Sequence, residues 1–386
     1  MKKILFMAVS AILLAAGCQK TEIQNEKLTP IGFDTHMGKL TKAPNASNTE
    51  VVTNLYEQGF QVWSYFAGPE NDLNYEVNEP YFDEGSITVT VADRTVTPAT
   101  WATEETYYWP GKGKELDLYA VSSYKEDYDL TAAGNVKVDP VNRVVYIKDF
   151  VVDADADNDL MVAAMIRQDQ DDAKFVKPHF QHALTKVLVK FRRTKDCEVY
   201  LVSATTSEIN STASLKVTNS VPPTVAEGGN GTALVSNATF EWTGHTTPAT
   251  YGAQCAEPTT ELEGVIMENG NVQTVTGLVQ LNAATEAVKE GEEIVTSATD
   301  GYITYGSWLL LPQDSIKGYY LDVQYIVDGY FISQQFKLDT GVPAWSRNQQ
   351  TTYNVTISPD YIEFEPDVKD WVENGETLNE EENLIS

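Results

Sequence analysis

The chain has 386 residues and a mass of 42.7 kDa, with 56 acidic against 27 basic side chains, a formal net charge of -29 and a pI near 4.4. That balance excludes nucleic acid as a partner, because phosphate binding depends on clustered Lys and Arg that release counterions. Hydrophobic residues make up 42% and aromatic residues 10%, too much for a disordered acidic chain, so the charge belongs to a folded surface, and the length fits two domains better than one.

The first element is an export signal. Lys2 and Lys3 give a basic start, and Ile4 to Ala16 form an apolar stretch broken only by Ser10. It is too short to span a bilayer comfortably, and the basic, apolar and small-residue segments follow the order of a secretory signal. Leu14-Ala15-Ala16-Gly17-Cys18 resembles the lipobox of bacterial lipoproteins, which implies cleavage between Gly17 and Cys18 and acylation of Cys18. Two or three acyl chains hold a protein stably at a membrane where one does not. Removing residues 1–17 takes away two Lys and no acid, which lowers the charge from -29 to -31. Residues 18–29 are polar and read as a tether.

Beyond the tether, period-two alternation marks strands. Phe60, Val62 and Ser64 alternate with Gln61, Trp63 and Tyr65, and Ile87, Val89 and Val91 alternate with Thr88, Thr90 and Ala92. Further strands are expected at Leu116 to Val121, Val144 to Phe150, Lys186 to Phe191, Tyr319 to Leu338 and Tyr353 to Ile357. The long Tyr319 to Leu338 segment carries Asp328-Gly329 between two β-rich arms, a pair suited to the positive-φ positions of a tight hairpin turn. One short helix is expected at Ala283 to Glu293. With 20 Tyr, 13 Phe and 7 Trp and no long amphipathic helix, the composition predicts an all-β protein of antiparallel sandwiches. A boundary near residue 178 divides it into an N-terminal domain, 30–178, and a C-terminal domain, 179–386, that ends in an acidic tail.

Little in the chain points to catalysis. Neither a nucleophile elbow nor a reactive Cys with a His nearby is present, and paired carboxylates carry no information among 56 acids. The alternation Asp153, Asp155, Asp157, Asp159 lacks the Gly and Glu that a calcium-binding EF-hand loop needs, so it reads as an acidic surface loop, with a weak calcium site as the alternative. His179 and His182 are three apart, which in an extended segment puts them on opposite faces and leaves His182 to be packed or hydrogen-bonded in place. Neither His36 nor His245 has a local partner pattern. Cys197 and Cys255 either pair or stay as buried thiols. No metal and no cofactor is expected. Exposed Trp among Trp101, Trp109, Trp242, Trp308, Trp345 and Trp371 would stack on sugars, although strand contexts favour burial.

Several segments taken in order resemble the fimbrillin family of Gram-negative anaerobes. They are the Ile31 to Ala43 opening, Glu105 to Tyr119, Asp159 to Ala163, Pro178 to Phe191, Leu309 to Ser315 and the closing Tyr353 to Trp371. The resemblance implies two tandem transthyretin-like β-sandwich domains, export as an outer-membrane lipoprotein through Cys18, and partners that are other fimbrial subunits or a host or bacterial surface ligand. It also implies assembly by β-strand addition, in which an Arg-specific protease removes the first strand and the opened groove takes a strand from the next subunit. Here that first strand is Pro30 to His36, with Ile31 and Phe33 facing inward. The chain departs from the stalk pattern, because no Arg precedes Arg94 and only Lys39 and Lys42 occupy the expected processing loop. The tail, Glu373 to Ser386, is also a poor donor, with few apolar residues among many Glu. The expectation is therefore a tip, anchor or accessory subunit that keeps its lipid, with a glycan-binding surface lipoprotein as the alternative.

Overall fold

The computed structural model describes residues 29–33, 55, 59–68, 77–82, 85–93, 100–111, 113–123, 128–152, 159–170, 175–220, 238–252, 260–285, 288–290, 293–296 and 299–370. Strands are the named regular elements throughout them. In chain order, the first seven are β1 (Phe60–Gly68), β2 (Ile87–Asp93), β3 (Thr100–Thr103), β4 (Glu115–Ser122), β5 (Val136–Asp139), β6 (Val144–Val151) and β7 (Met161–Gln168). There follow β8 (Gln181–His182), β9 (Thr185–Arg193), β10 (Val199–Thr206), β11 (Ile209–Asn219), β12 (Ala238–Ala249), β13 (Thr260–Ile266) and β14 (Val272–Gln280). The last are β15 (Val288–Glu290), β16 (Glu293–Thr296), β17 (Ile303–Leu310), β18 (Tyr320–Val327), β19 (Tyr330–Lys337), β20 (Gln349–Ile357) and β21 (Ile362–Asp370).

A six-stranded sheet in the order β3-β2-β1-β4-β7-β8 organises the N-terminal half. Period two divides its side chains between two cores. Phe60, Val62 and Phe66 of β1, Leu116, Leu118 and Ala120 of β4, and Met161, Ala163 and Met165 of β7 enter a core whose buried members lie between Ile31 and Val176, with Phe180 packed against it. The intervening Trp63, Tyr119, Val121, Val162 and Ile166 enter a larger core that continues to Ile357. Because both faces are covered, β4 is buried along nearly its whole length, the polar Asp117 and Ser122 included.

Three further assemblies complete the fold. One is a four-stranded sheet, β12-β11-β6-β5, in which β6 pairs antiparallel with β11, so its strands come from both sides of residue 178. A second sheet, β17-β9-β20-β21, sets β20 parallel to β9. In β9 alternation is visible in the chain itself, Thr185, Val187, Val189 and Phe191 being buried and the residues between them only half-buried. The strands β10-β14-β13-β19-β18 close on themselves through one parallel bridge, Ile266 to Tyr330. Between β18 and β19 the turn residues Asp328 and Gly329 take φ of 49° and 83°, the positive pair that a tight hairpin requires.

The expected helix at Ala283 to Glu293 is a correction. Thr285 instead exchanges backbone hydrogen bonds with Thr299, at 2.9 and 3.1 Å, and β15 pairs with β16. Tertiary pairing has overridden the helix propensity of Ala, Glu and Lys.

One ionic contact ties the six-stranded sheet to the β12-β11-β6-β5 sheet. Asp117 of β4 is 4% exposed and accepts from the Arg167 amide at 2.8 Å and from Arg143 Nε at 3.3 Å. Arg143 lies in the β5–β6 turn, where its carbonyl accepts from the Asn219 amide at 3.0 Å. Burial pushes the Asp117 carboxyl above its ordinary value of 3.8, although Arg167 and Arg143 pull it back. An acid whose folded pKa is raised weakens the fold as it ionises. Relative to an Asp117→Asn variant, the wild type should therefore lose stability as pH climbs from the unfolded carboxylate value through the raised folded one. Urea midpoints of the two proteins at about pH 3 and about pH 7 check this, since the variant lacks the titration.

Candidate functional site

Against the N-terminal core lies a layer of short extended pieces with residues 29–33 at its centre. Pro30 bridges Tyr108 antiparallel on one side, and Phe33 bridges Val176 in parallel on the other. The Ile31 amide donates to the Tyr107 carbonyl at 2.8 Å and the Trp109 amide to the Thr29 carbonyl at 2.9 Å. Across the segment, the Val176 amide donates to the Gly32 carbonyl at 2.8 Å. Pro30, which has no amide to offer, sits where the ladder does not call on one.

Alternation sends Ile31 and Phe33 into the core, 7% and 5% exposed, while Pro30 faces solvent. The Phe33 ring meets Phe60 edge-on at 5.9 Å between centroids, and Phe60 continues the cluster to Trp101 and Phe180, each at 5.3 Å. Above Gly32 lies the ring of Phe175, and a Cβ on Gly32 would stand 2.5 Å from its Cδ1. Glycine is needed here for close approach rather than for an unusual backbone angle.

The segment is held only modestly. Burying two large apolar side chains gives about 3–6 kcal/mol and three backbone hydrogen bonds about 1.5–4.5 kcal/mol, against about 5–10 kcal/mol for ordering five residues. Those opposing figures balance to within a few kcal/mol.

Of the residues expected to matter, the structure brings Ile31 and Phe33 together in this layer. Gly17, Cys18, Lys39 and Lys42 lie outside the described residues, as do His36, Cys255, Trp371 and the tail. Of the walls at Tyr107 to Trp109 and Phe175 to Val176, the sequence singled out Trp109 alone, and as a stacking aromatic rather than a wall. The first lies inside the Glu105 to Tyr119 landmark, but nothing in the charged surroundings of Phe175 marks it.

Other candidates resolve as structural groups. His182 is buried and its Nδ1 lies 2.5 Å from Asp159 Oδ2, a hydrogen-bonded role. Asp159 itself is 1% exposed, which corrects its assignment to an acidic surface loop, while residues 153–158 lie outside the described set. No group of three or more candidate metal ligands occurs among the described residues. The His245 ring lies 2.9 Å from the Pro312 carbonyl through Nε2, and Cys197 is a free buried thiol. Trp63, Trp109, Trp308 and Trp345 are buried, Trp101 and Trp242 are half-buried, and Trp242 Nε1 donates to the Ala183 carbonyl at 3.0 Å. None of these six is an exposed stacking platform.

No helix among the described residues is long and apolar enough to cross a membrane. No curated protein matches the chain. Among solved structures it is similar to a fimbrial protein from Bacteroides vulgatus, at 14% identity over 89% of this chain and 99% of that one, with a TM-score of 0.49. It is also similar to the tip fimbrial protein Mfa3 from Porphyromonas gingivalis with C-terminal truncation, at 12% identity over 81% of this chain and 94% of that one, with a TM-score of 0.30. The sequence model of the family described as fimbrillin-like matches residues 57–371, most of the chain, and the protein therefore belongs to the fimbrillin-like family.

Proposed function

We propose that this protein is a fimbrillin-like surface subunit of the tip, anchor or accessory kind, held at the outer membrane by acyl chains on Cys18 and joined to other fimbrial subunits by β-strand addition. The observation that carries this reading is the extended segment at 29–33, paired on both sides and burying two anchors, Ile31 and Phe33, against the N-terminal core. Its departure would leave the Tyr107 carbonyl, the Trp109 amide and the Val176 amide without partners beside an apolar trough, and an incoming alternating strand satisfies both needs.

The far edge of the protein supports a role other than repeating stalk. Strand β21 pairs with β20 along its whole length, and it carries Pro366 together with Glu363, Glu365, Asp367 and Asp370. Proline and charge on an edge strand oppose further pairing. The role is adhesive and non-catalytic, and the ligand is a surface molecule of the host or of another bacterium.

Metabolic labelling with palmitate in cells, followed by fractionation, tests the anchor. Label should enter the wild-type chain in outer membranes and fimbrial material and be lost from Cys18→Ala. Equal labelling of both, or wild-type protein free in the periplasm, contradicts the proposal.

A further inference from the structure

In the 29–33 segment, Gly32 is where a side chain has no room. A Cβ there would meet Phe175 Cδ1 at 2.5 Å and Cε1 at 2.8 Å, distances real Cβ atoms essentially never show. Backbone retreat cannot relieve the clash cheaply, because the next residue, Val176, holds the Gly32 carbonyl at 2.8 Å and bridges Phe33. The ring is 42% exposed, so its remaining course is to swing into water and uncover the strand. On the opposite face, Ile31 and Phe33 must fill the apolar trough.

We propose that Phe175 is a selectivity lid, so that the groove accepts an extended segment with an aliphatic residue, a glycine and an aromatic residue in succession. This rests on the strand-addition reading above and names the chemistry of its partner. In the whole sequence that triplet occurs at Ile31-Gly32-Phe33 alone. The other four glycines followed by Phe or Tyr come after Gln58, Asp300, Lys317 and Asp328, and the lone glycine of the acidic tail, Gly375, lies between Asn374 and Glu376. A second copy thus has no spare strand that fits, and the groove's partner is a different polypeptide that carries the triplet.

The test uses the full chain with a protease site in place of residues 40–43, cut after folding, and fluorescent peptides spanning residues 28–36 with Gly, Ala or Val at position 32. The Gly peptide should exchange into the cut protein, the Ala peptide about tenfold more weakly, as overpacking of one methyl implies, and the Val peptide more weakly still. In Phe175→Ala, whose far-ultraviolet circular dichroism should match the wild type, the Ala peptide should recover to within about twofold of the Gly peptide. Equal binding of Gly and Ala peptides to the wild type overturns the lid while leaving strand addition standing. So does binding of a peptide from the acidic tail as tight as that of the Gly peptide. If no peptide binds, the Gly version included, strand addition and the lid fall together.

Discussion

Replacing Phe33 by Ala should release the N-terminal segment from its layer. Removing a buried aromatic side chain costs about 3–5 kcal/mol. Residues 29–33 hold little net advantage over the detached state, since five ordered residues offset most of what two anchors and three hydrogen bonds contribute. The expected outcome is therefore local opening, with the rest of the fold kept. In hydrogen exchange, the amides of Ile31, Trp109 and Val176, which bond across the segment, should lose protection together, while the amides between β9 and β20 keep theirs. A variant that loses protection everywhere at once would show that the segment is part of the global folding unit and cannot serve as an exchangeable strand. A variant with unchanged protection would show that Phe33 does not anchor it.

The second large effect is expected at His182, where the consequence is global. Asp159 Oδ2 has His182 Nδ1 at 2.5 Å, and Oδ1 is buried with no hydrogen-bond partner among the described residues. His182→Ala removes the close partner of a buried carboxyl group, and leaving such a group unsatisfied costs about 1–3 kcal/mol, more where it is charged. His182 belongs to β8 and Asp159 precedes β7, where the Ala183 amide donates to the Leu160 carbonyl at 2.8 Å, so the pair sits at the join between the last two strands of the six-stranded sheet. Thermal denaturation should show a fall in Tm of many degrees. The double variant Asp159→Asn/His182→Ala should recover part of it, because the unpartnered carboxyl group is gone. No recovery in the double variant would show that the loss comes from packing around His182.

What the sequence revealed follows the range over which each signal acts. The hairpin at Asp328-Gly329 was legible because its cause is local, two positive-φ positions between β-rich arms. Strands β2 and β9 were legible because period two places large apolar residues on one side. Strand β11 escaped notice although its burial alternates without a break, because its inward positions include Ser211, Ala213 and Asn219 rather than bulky side chains. In β12, Gly244, Thr247 and Pro248 disguise a twelve-residue strand, two of them at positive φ.

Register across the chain is not written in any window of sequence. Pairing of β6 with β11 joins residues far apart, and a boundary at residue 178 taken from composition gives no hint that one sheet draws on both sides. At the candidate site, Ile31 and Phe33 were legible through the family resemblance. Phe175 did not, since its role depends on a ring lying over Gly32 from a charged, irregular stretch. Asp159 was misread for a similar reason. It closes a row of alternating Asp, and only the fold shows that it turns inward to meet His182.

The central claim is that residues 29–33 remain part of the mature protein, behind a lipid on Cys18. Intact-mass and N-terminal peptide mass spectrometry of the protein taken from cell surfaces tests this most directly. An N-terminal acylated Cys18 contiguous with Ile31-Gly32-Phe33 is the expected result. A mature N-terminus beyond Ala43, with the first strand gone, would contradict it.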